Sequence, residues 1–461
     1  MSDSLSLRAA LVPVIALLSG TALLTLGHGL QTSLVPLRAA AEGFGPLTIG
    51  LLGATYYAGF VVGCLLVPVL IQRAGHIRAF AAMLSCVSAA ALAFPLLVGE
   101  VQWVVVRFLF GVCISGVLVI VESWLNARAT PSTRGAVMSA YVVVTYFGLT
   151  VGQLGVTLQP IEGFALFSLC SILLSIAAVP VVLTRTEQPP PIPRVRFRPK
   201  RLWSLAPTAF VGILLAGITV GALLSLAAVF AVDLGLSTKE AATFAALIVL
   251  GGAIGQYPFG RASDFVDRRV VLLVAALLSG VAAIALALFA GSGPTMLYAL
   301  AFTIGLVCLP LYALAAAHAY DWSDPDDLVE TSAGMNLLFG VGSTLGPLLA
   351  SAAIATVGAV ALPLYLAAAF FALALYTLYR ITRRERPDDA LRADFDVYAT
   401  APVGSAAPSD VPAAPSDAPA APSDVPAAPS DVPAAASDGP AAASDAPAAP
   451  VETSRSDTTT V

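Results

Sequence analysis

Charge is what this 461-residue chain has least of. Only 11% of its residues are Asp, Glu, Lys or Arg, against about 25% in a soluble domain, while 58% are hydrophobic. A surface so short of charge cannot face water all round, which excludes an ordinary soluble enzyme and a nucleic-acid binder. Histidine is scarcer still: His28, His76 and His318 are the whole supply. A membrane-embedded enzyme would need a Ser–His or metal-ligand cluster at one depth, and three scattered histidines do not provide it. The five cysteines (Cys64, Cys86, Cys113, Cys170, Cys308) show no CxxC or CxxH spacing, so neither a zinc site nor a disulfide framework is expected. No GxxxxGK[ST] phosphate loop occurs, so ATP hydrolysis by this chain is not expected, nor is any cofactor.

What is there is hydrocarbon in long runs. Apolar stretches cover 10–34, 47–71, 79–99, 101–124, 135–158, 163–183, 205–231, 239–259, 270–291, 295–318, 330–354 and 359–380. Each is close to the roughly 20 residues that cross a bilayer, and backbone in hydrocarbon must bond within its own segment, so each is read as a helix. The expected class is an all-α polytopic membrane protein with twelve transmembrane helices. The first stretch continues for a full span, so no cleavable leader is expected. Taking alternate gaps, eighteen Lys and Arg fall in one set and two in the other. By the positive-inside rule both termini are cytoplasmic, in a cell (plasma or inner) membrane.

Composition divides the chain further. Residues 184–204, rich in Pro and Arg, separate six spans (1–183) from six spans (205–386) and read as a cytoplasmic tether beside anionic lipid heads. From 387 to 461 the chain turns to Ala, Pro, Ser and Asp, with six consecutive heptads such as APSDVPA between Ala407 and Ala448. These carry no apolar seam and too little bulk to form a core, so a disordered tail is expected.

The two six-span halves resemble each other at an offset of 192 to 194 residues. Gln72–Arg78 answers Asp264–Arg269, Arg107-Phe-Leu-Phe-Gly111 answers Ala301-Phe-Thr-Ile-Gly305, and Gly148-xxx-Gly152-Gln153 answers Gly342-xxx-Gly346-Pro347. Matches in register point to duplication of a six-helix unit, the arrangement in which a cavity opens alternately to two sides. Gly260-Arg-Ala-Ser-Asp264-Phe-Val-Asp-Arg268-Arg269 and the Arg107-x-x-x-Gly111 of span 4 resemble motifs of the major facilitator superfamily. Arg73-Ala-Gly-His-Ile-Arg78, Glu122-Ser-Trp-Leu-Asn126, Gly255-Gln-Tyr-Pro-Phe-Gly-Arg261 and Ala317-His-Ala-Tyr-Asp321 resemble its YcaD-type branch. The resemblance covers about 10–380 and implies two pseudo-symmetric six-helix bundles and a secondary transporter of a small solute, acting as a monomer in the lipid bilayer. Gln72, Pro68 and Asp267 depart from the usual loop motifs, which leaves the first loop's ion-pair latch open.

Arg107 is the sharpest residue-level signal, since a guanidinium at depth costs about 2.5–3.5 kcal/mol on insertion scales and should face protein or water. Counted inward, it shares its depth with His28 in span 1, and these two with Gln31 are the candidate substrate-cavity residues; a snorkelling Arg107 and a purely structural His28 are the alternatives. A cationic cavity points to a solute with an anionic group, with an amphipathic drug-like compound as the rival. Tyr56, Tyr57, Tyr141, Tyr146 and Tyr312 are further cavity candidates. Proton coupling or gating is assigned to Glu122, His28, Arg73, Arg78, Asp264 and Arg268, with Glu122 expected to pair with Arg73 or Arg78 in the outward-facing state, and Asp264 with Arg268 or a helix N-terminus. Gly111, Gly148, Gly152, Gly342 and Gly346 are read as close-packing positions, and Pro347 as a hinge. The coupling ion is expected to be the proton; uncoupled facilitation, or a scaffold acting through the tail, are the alternatives.

Overall fold

The computed structural model describes residues 14–130, 133–183, 199–324 and 327–383. The residues before Val14, the greater part of the basic linker (184–198) and the heptad-bearing tail lie outside the described residues. Twelve long helical segments follow one another: α1 (Ile15–Ala41), α2 (Pro46–Ala74), α3 (His76–Leu96), α4 (Glu100–Arg128), α5 (Arg134–Leu158), α6 (Ala165–Val182), α7 (Pro207–Asp233), α8 (Thr238–Phe265), α9 (Arg268–Leu288), α10 (Pro294–Tyr320), α11 (Leu328–Val357) and α12 (Ala361–Arg383). Among the described residues there are no strands.

Local chemistry explains where the helices begin and turn. Pro46, Pro207 and Pro294 open α2, α7 and α10, where a missing N–H costs nothing. Ser237 and Glu240 form a reciprocal capping box at the start of α8. The turns after α1 and α7 are copies of each other. Gly43 and Gly235 both have positive φ (81° and 90°), and in each turn the following residue donates five residues back, Phe44 to Ala39 and Leu236 to Ala231. That is the Schellman way of ending a helix, and it needs the left-handed residue glycine supplies.

Eleven of the helices are long and apolar enough to cross a bilayer. The one that falls short is α1, 27 residues like its counterpart α7, because Ser19, Thr21, Thr25, His28, Gln31 and Thr32 dilute it. Its threonine hydroxyls are satisfied within the helix: Thr21 donates to the Leu17 carbonyl, Thr25 to Thr21 and Thr32 to His28. Such a helix belongs inside a bundle rather than against lipid. Large apolar side chains are exposed on the outward faces of the others, Leu66, Val143, Phe147, Val281, Leu349 and Leu375 among them, as a hydrocarbon-facing surface requires. The protein is an integral, multi-pass membrane protein.

Packing repeats every six helices. In the first half α1 lies on α5, α2 on α4 and α3 on α6; in the second, α7 lies on α11, α8 on α10 and α9 on α12. Between the halves α2 meets α11 and α5 meets α8, again partners under the same shift. Two pseudo-symmetric six-helix bundles result. Both ends of the described chain, Val14 and Arg383, lie at one face, termed here the terminal face.

Three details differ from the sequence reading. Helix α1 runs on to Ala41, well past residue 34, carrying Pro36 within it. The last part of the linker is helical, over Pro199–Leu205. Leu202 there is buried, Trp203 meets Phe210 edge-on and Arg201 pairs with Asp327 at the head of α11, contacts that order a segment composition alone reads as a tether. Finally, α10 is interrupted where Pro310 follows Leu309, and α6 between Ile176 and Ala178.

Candidate functional site

Helices α1, α2 and α4 converge on one guanidinium. Arg107 lies seven residues into α4, about 10 Å along its axis at 1.5 Å per residue, and is only 5% exposed. Its Nη1 donates to Oε1 of the fully buried Gln31 on α1 at 2.6 Å. The guanidinium carbon stands 4.6 Å from the ring centroid of Tyr56 on α2 and 5.9 Å from that of Phe110. A cation over an aromatic face gains about 2 kcal/mol when desolvated, which helps to hold a charge at this depth. His28 rests on the same two rings, at 5.7 Å and 6.3 Å, and its Nε2 is 2.9 Å from the Tyr56 hydroxyl.

The spacing of Arg107 and Gly111 has a physical cause here. Four residues apart, they share one face of α4, and a Cβ at Gly111 would collide with the Tyr56 carbonyl of α2. Gly59 meets the Phe108 carbonyl in the same way. Backbone-to-backbone approach brings the Tyr56 ring under the guanidinium. On the other side of α1, Gly148 lies against Thr25, and Gly152 against the Leu26 carbonyl. Ser33 beside them donates to Gln153 at 3.2 Å.

Among the described residues Arg107 forms no ion pair, and two buried donors have no acceptor: Arg107 Nε and Gln31 Nε2. The cluster thus carries one positive charge, an aromatic wall and unmade N–H groups. Half-buried Tyr57, 5.0 Å from Tyr56, and half-buried Phe60 and His28 border it.

Toward the terminal face the picture changes. Glu122, fifteen residues beyond Arg107 on α4, is fully buried. Its partner in this structure is another residue: the Tyr141 hydroxyl of α5 donates to Oε1 at 2.8 Å, while Arg73 and Arg78 are exposed and make no ion pair among the described residues. Glu122 Oε2 is buried with no hydrogen-bond partner. His76, between the two exposed arginines, is the buried residue of the loop, its ring 6.3 Å from that of Trp124 and its Nε2 3.4 Å from Ser123.

In the second half the corresponding corner is ionic. Arg268, at the start of α9, meets Asp321, just past α10, at 3.0 Å, with both side chains 3% exposed. Asp264, the other partner expected for Arg268, lies half-buried in the last turn of α8. The helix cap is Asp267, whose carboxylate accepts from the Arg269 backbone at 2.9 Å and pairs with its guanidinium at 2.8 Å. Partial burial raises the Asp267 pKa, but the bonds and charge from Arg269, with His318 nearby, outweigh it and leave the carboxyl below its ordinary value. Asp267 reads in sequence only as a missing glycine; its cap could have been found from Asp preceding Arg-Arg at a helix start. Tyr56 and Phe110 gave no comparable signal.

On α11, a Cβ at Gly342 would meet the Leu214 carbonyl of α7, and one at Gly346 the Ile218 carbonyl. Pro347 faces α2, near Gly50 and Gly53. An apolar crevice of about 190 Å³ lies away from the terminal face, between Phe44, Ile49, Leu226, Phe230 and Ile354, with Asp233 at its edge. None of the candidate site residues lines it.

The family model described as Major Facilitator Superfamily matches residues 17–251 and 209–422. The chain belongs to the Major Facilitator Superfamily. This transporter is 30% identical over 337 residues to an uncharacterised YcaD transporter of Escherichia fergusonii, covering 73% of this chain and 87% of that one. It is 29% identical over 343 residues to YcaD of Escherichia coli K12, with the same coverage. Solved structures share the fold. A bacterial homologue of the human lysosomal transporter Spinster, inward-facing and occupied, matches with a TM-score of 0.68 at 17% identity, over 82% of this transporter and 97% of that chain. The nucleoside transporter NupG matches at 0.66 and 13%, over 80% and 99%. Family and fold together make the protein a membrane transporter of a solute.

Proposed function

We propose that this transporter is a secondary active carrier that moves a small solute by alternating access, driven by the proton gradient. The observation that carries the reading is Arg107: a guanidinium 5% exposed, held between two rings and an amide, with no carboxylate against it. Such a charge is retained at depth for work, because a hydrophobic residue would pack there at lower cost. His28 and Gln31 complete the solute site with it. Glu122, fully buried with one oxygen unpartnered, is the proton site, and Tyr141 orients it. Arg73, Arg78 and Asp264, on the loops at the terminal face, gate that face, and Arg268 does so through Asp321. Gly111, Gly148, Gly152, Gly342 and Gly346 let helices of one bundle move as a unit, and Pro347 gives α11 its hinge. The Lys and Arg asymmetry supports a terminal face in the cytoplasm of a cell membrane.

The test is flux in right-side-out and inside-out vesicles with an imposed pH gradient, using a panel of metabolites and dyes. Arg107→Ala is expected to abolish transport of whichever compound moves. Glu122→Gln is expected to leave downhill exchange and to remove gradient-driven accumulation. Accumulation that survives in both Glu122→Gln and His28→Ala would show that neither carries the proton.

A further inference from the structure

We infer that the cluster of Arg107, Gln31, Tyr56 and Phe110 selects an organic monocarboxylate, gripping the carboxylate head with Arg107 and Gln31 and leaving its apolar body against the rings. The inference rests on the carrier reading above and names the solute class for that same site.

Charge counting decides the class. Among the described residues the cluster holds one fixed cation and no acid; the nearest buried carboxyl on the same helix, Glu122, is fifteen residues away, about 22 Å along the axis. A cationic solute would meet Arg107 with nothing to neutralise it. A neutral solute would leave the guanidinium uncompensated in a buried site. A dianion would bring one charge too many. One negative charge closes the account.

Donor counting gives the head. Arg107 Nε and Gln31 Nε2 are buried N–H groups without acceptors, on side chains already joined by the 2.6 Å bond from Nη1 to Oε1. Two buried donors on joined side chains, one of them charged, match in number the two oxygens of a carboxylate. The hydroxyl that could compete, on Tyr56, is engaged with His28. Ring geometry gives the body: Tyr56, Tyr57, Phe60 and Phe110 surround the head with apolar surface, and Tyr57 and Phe60 are half-buried, so the surface continues outward from the cation.

The experiment uses the full chain, purified and reconstituted, with benzoate and hexanoate as monocarboxylate probes. Benzamide, benzyltrimethylammonium and phenyl phosphate serve as neutral, cationic and dianionic counterparts. Benzoate or hexanoate is expected to raise the unfolding temperature and to support counterflow, while the other three do neither at the same concentration. Gln31→Leu is expected to weaken the carboxylate response about tenfold to a hundredfold, the scale of one hydrogen bond to a charged group. Arg107→Gln should remove it while keeping the apo unfolding temperature.

An equal response to benzamide or benzyltrimethylammonium would overturn the inference. So would failure of both carboxylates on the wild-type protein, or a full response in Gln31→Leu and Arg107→Gln together. Spin labels placed by Leu47→Cys and Val357→Cys in a cysteine-replaced background separate the two readings. A label distance that switches under a pH gradient without carboxylate selectivity sinks the inference and leaves the carrier; a distance that never switches sinks the carrier itself.

Discussion

The two bundles share one plan of helix contacts, yet they carry different chemistry. In the first half the buried charges, Arg107 and Glu122, lie on the span of α4 and have no ionic partner among the described residues. The equivalent stretch of α10 holds Ala301 opposite Arg107, with Gly305 opposite Gly111. There the charges stand at the rim and are paired, Arg268 with Asp321 and Asp267 with Arg269. Near Glu122 and Tyr141, the second half has Tyr312 donating to Asn336 at 2.8 Å, a neutral bond of the same kind between the same two helices of the unit. Duplication has left one bundle with unpaired buried charges and the other with a neutral wall and an ionic rim. An unpaired buried charge is costly, so it persists where it has work to do. A paired buried charge is explained by its partner.

That contrast can be broken by substitution, and the effects should fall in a definite order. Asp321→Ala strips Arg268 of its buried carboxylate and should destabilise the purified protein by about 3–5 kcal/mol, the scale for one lost partner of a buried pair; a melting curve equal to wild type would remove the ionic rim from the account. Gly111→Ala and Gly305→Ala each force a Cβ onto a neighbouring carbonyl, from Tyr56 or Ile248, and should cost about 1–3 kcal/mol alike. Transport measured alongside should fall further in Gly111→Ala, because there the shifted backbone carries Tyr56. Asp267→Ala loses a cap and should cost about 1 kcal/mol.

The Asp267 effect has a pH signature. A carboxyl held below its ordinary value contributes stability that is present above the unfolded value, about 3.9, and is lost as pH falls through the folded value. The gap between wild type and Asp267→Asn should therefore shrink on acidification below about pH 4 and be flat through neutrality. Smallest is Arg107→Leu: the melting temperature should stay level or rise, since an unpaired buried charge is removed, even though transport is lost. A large drop in stability would make Arg107 a structural residue after all.

Much of this was legible beforehand. Helix number, the duplication and the family follow from apolar length, repeat offset and loop motifs, all local properties of the chain. Arg107 stood out because charge is so rare here, and counting residues inward was enough to set it near His28 and Gln31. The aromatic partners were not legible. Tyr56 is one tyrosine among five candidates, and only the Gly111–Tyr56 backbone approach selects it. The partners seen for Glu122 and Arg268 were not legible for a related reason. Sequence proximity favoured the neighbouring loops, whereas Tyr141 and Asp321 are brought in by helices returning across the bundle.

By itself, then, the sequence determined that the chain crosses a membrane as two copies of a six-helix unit, because burial in hydrocarbon constrains each segment separately and leaves a mark on every one. Only the tertiary structure decided which side chains meet Arg107, Glu122 and Arg268. Those contacts depend on which helix faces pack together and how closely glycine lets them approach, and no single segment carries that information.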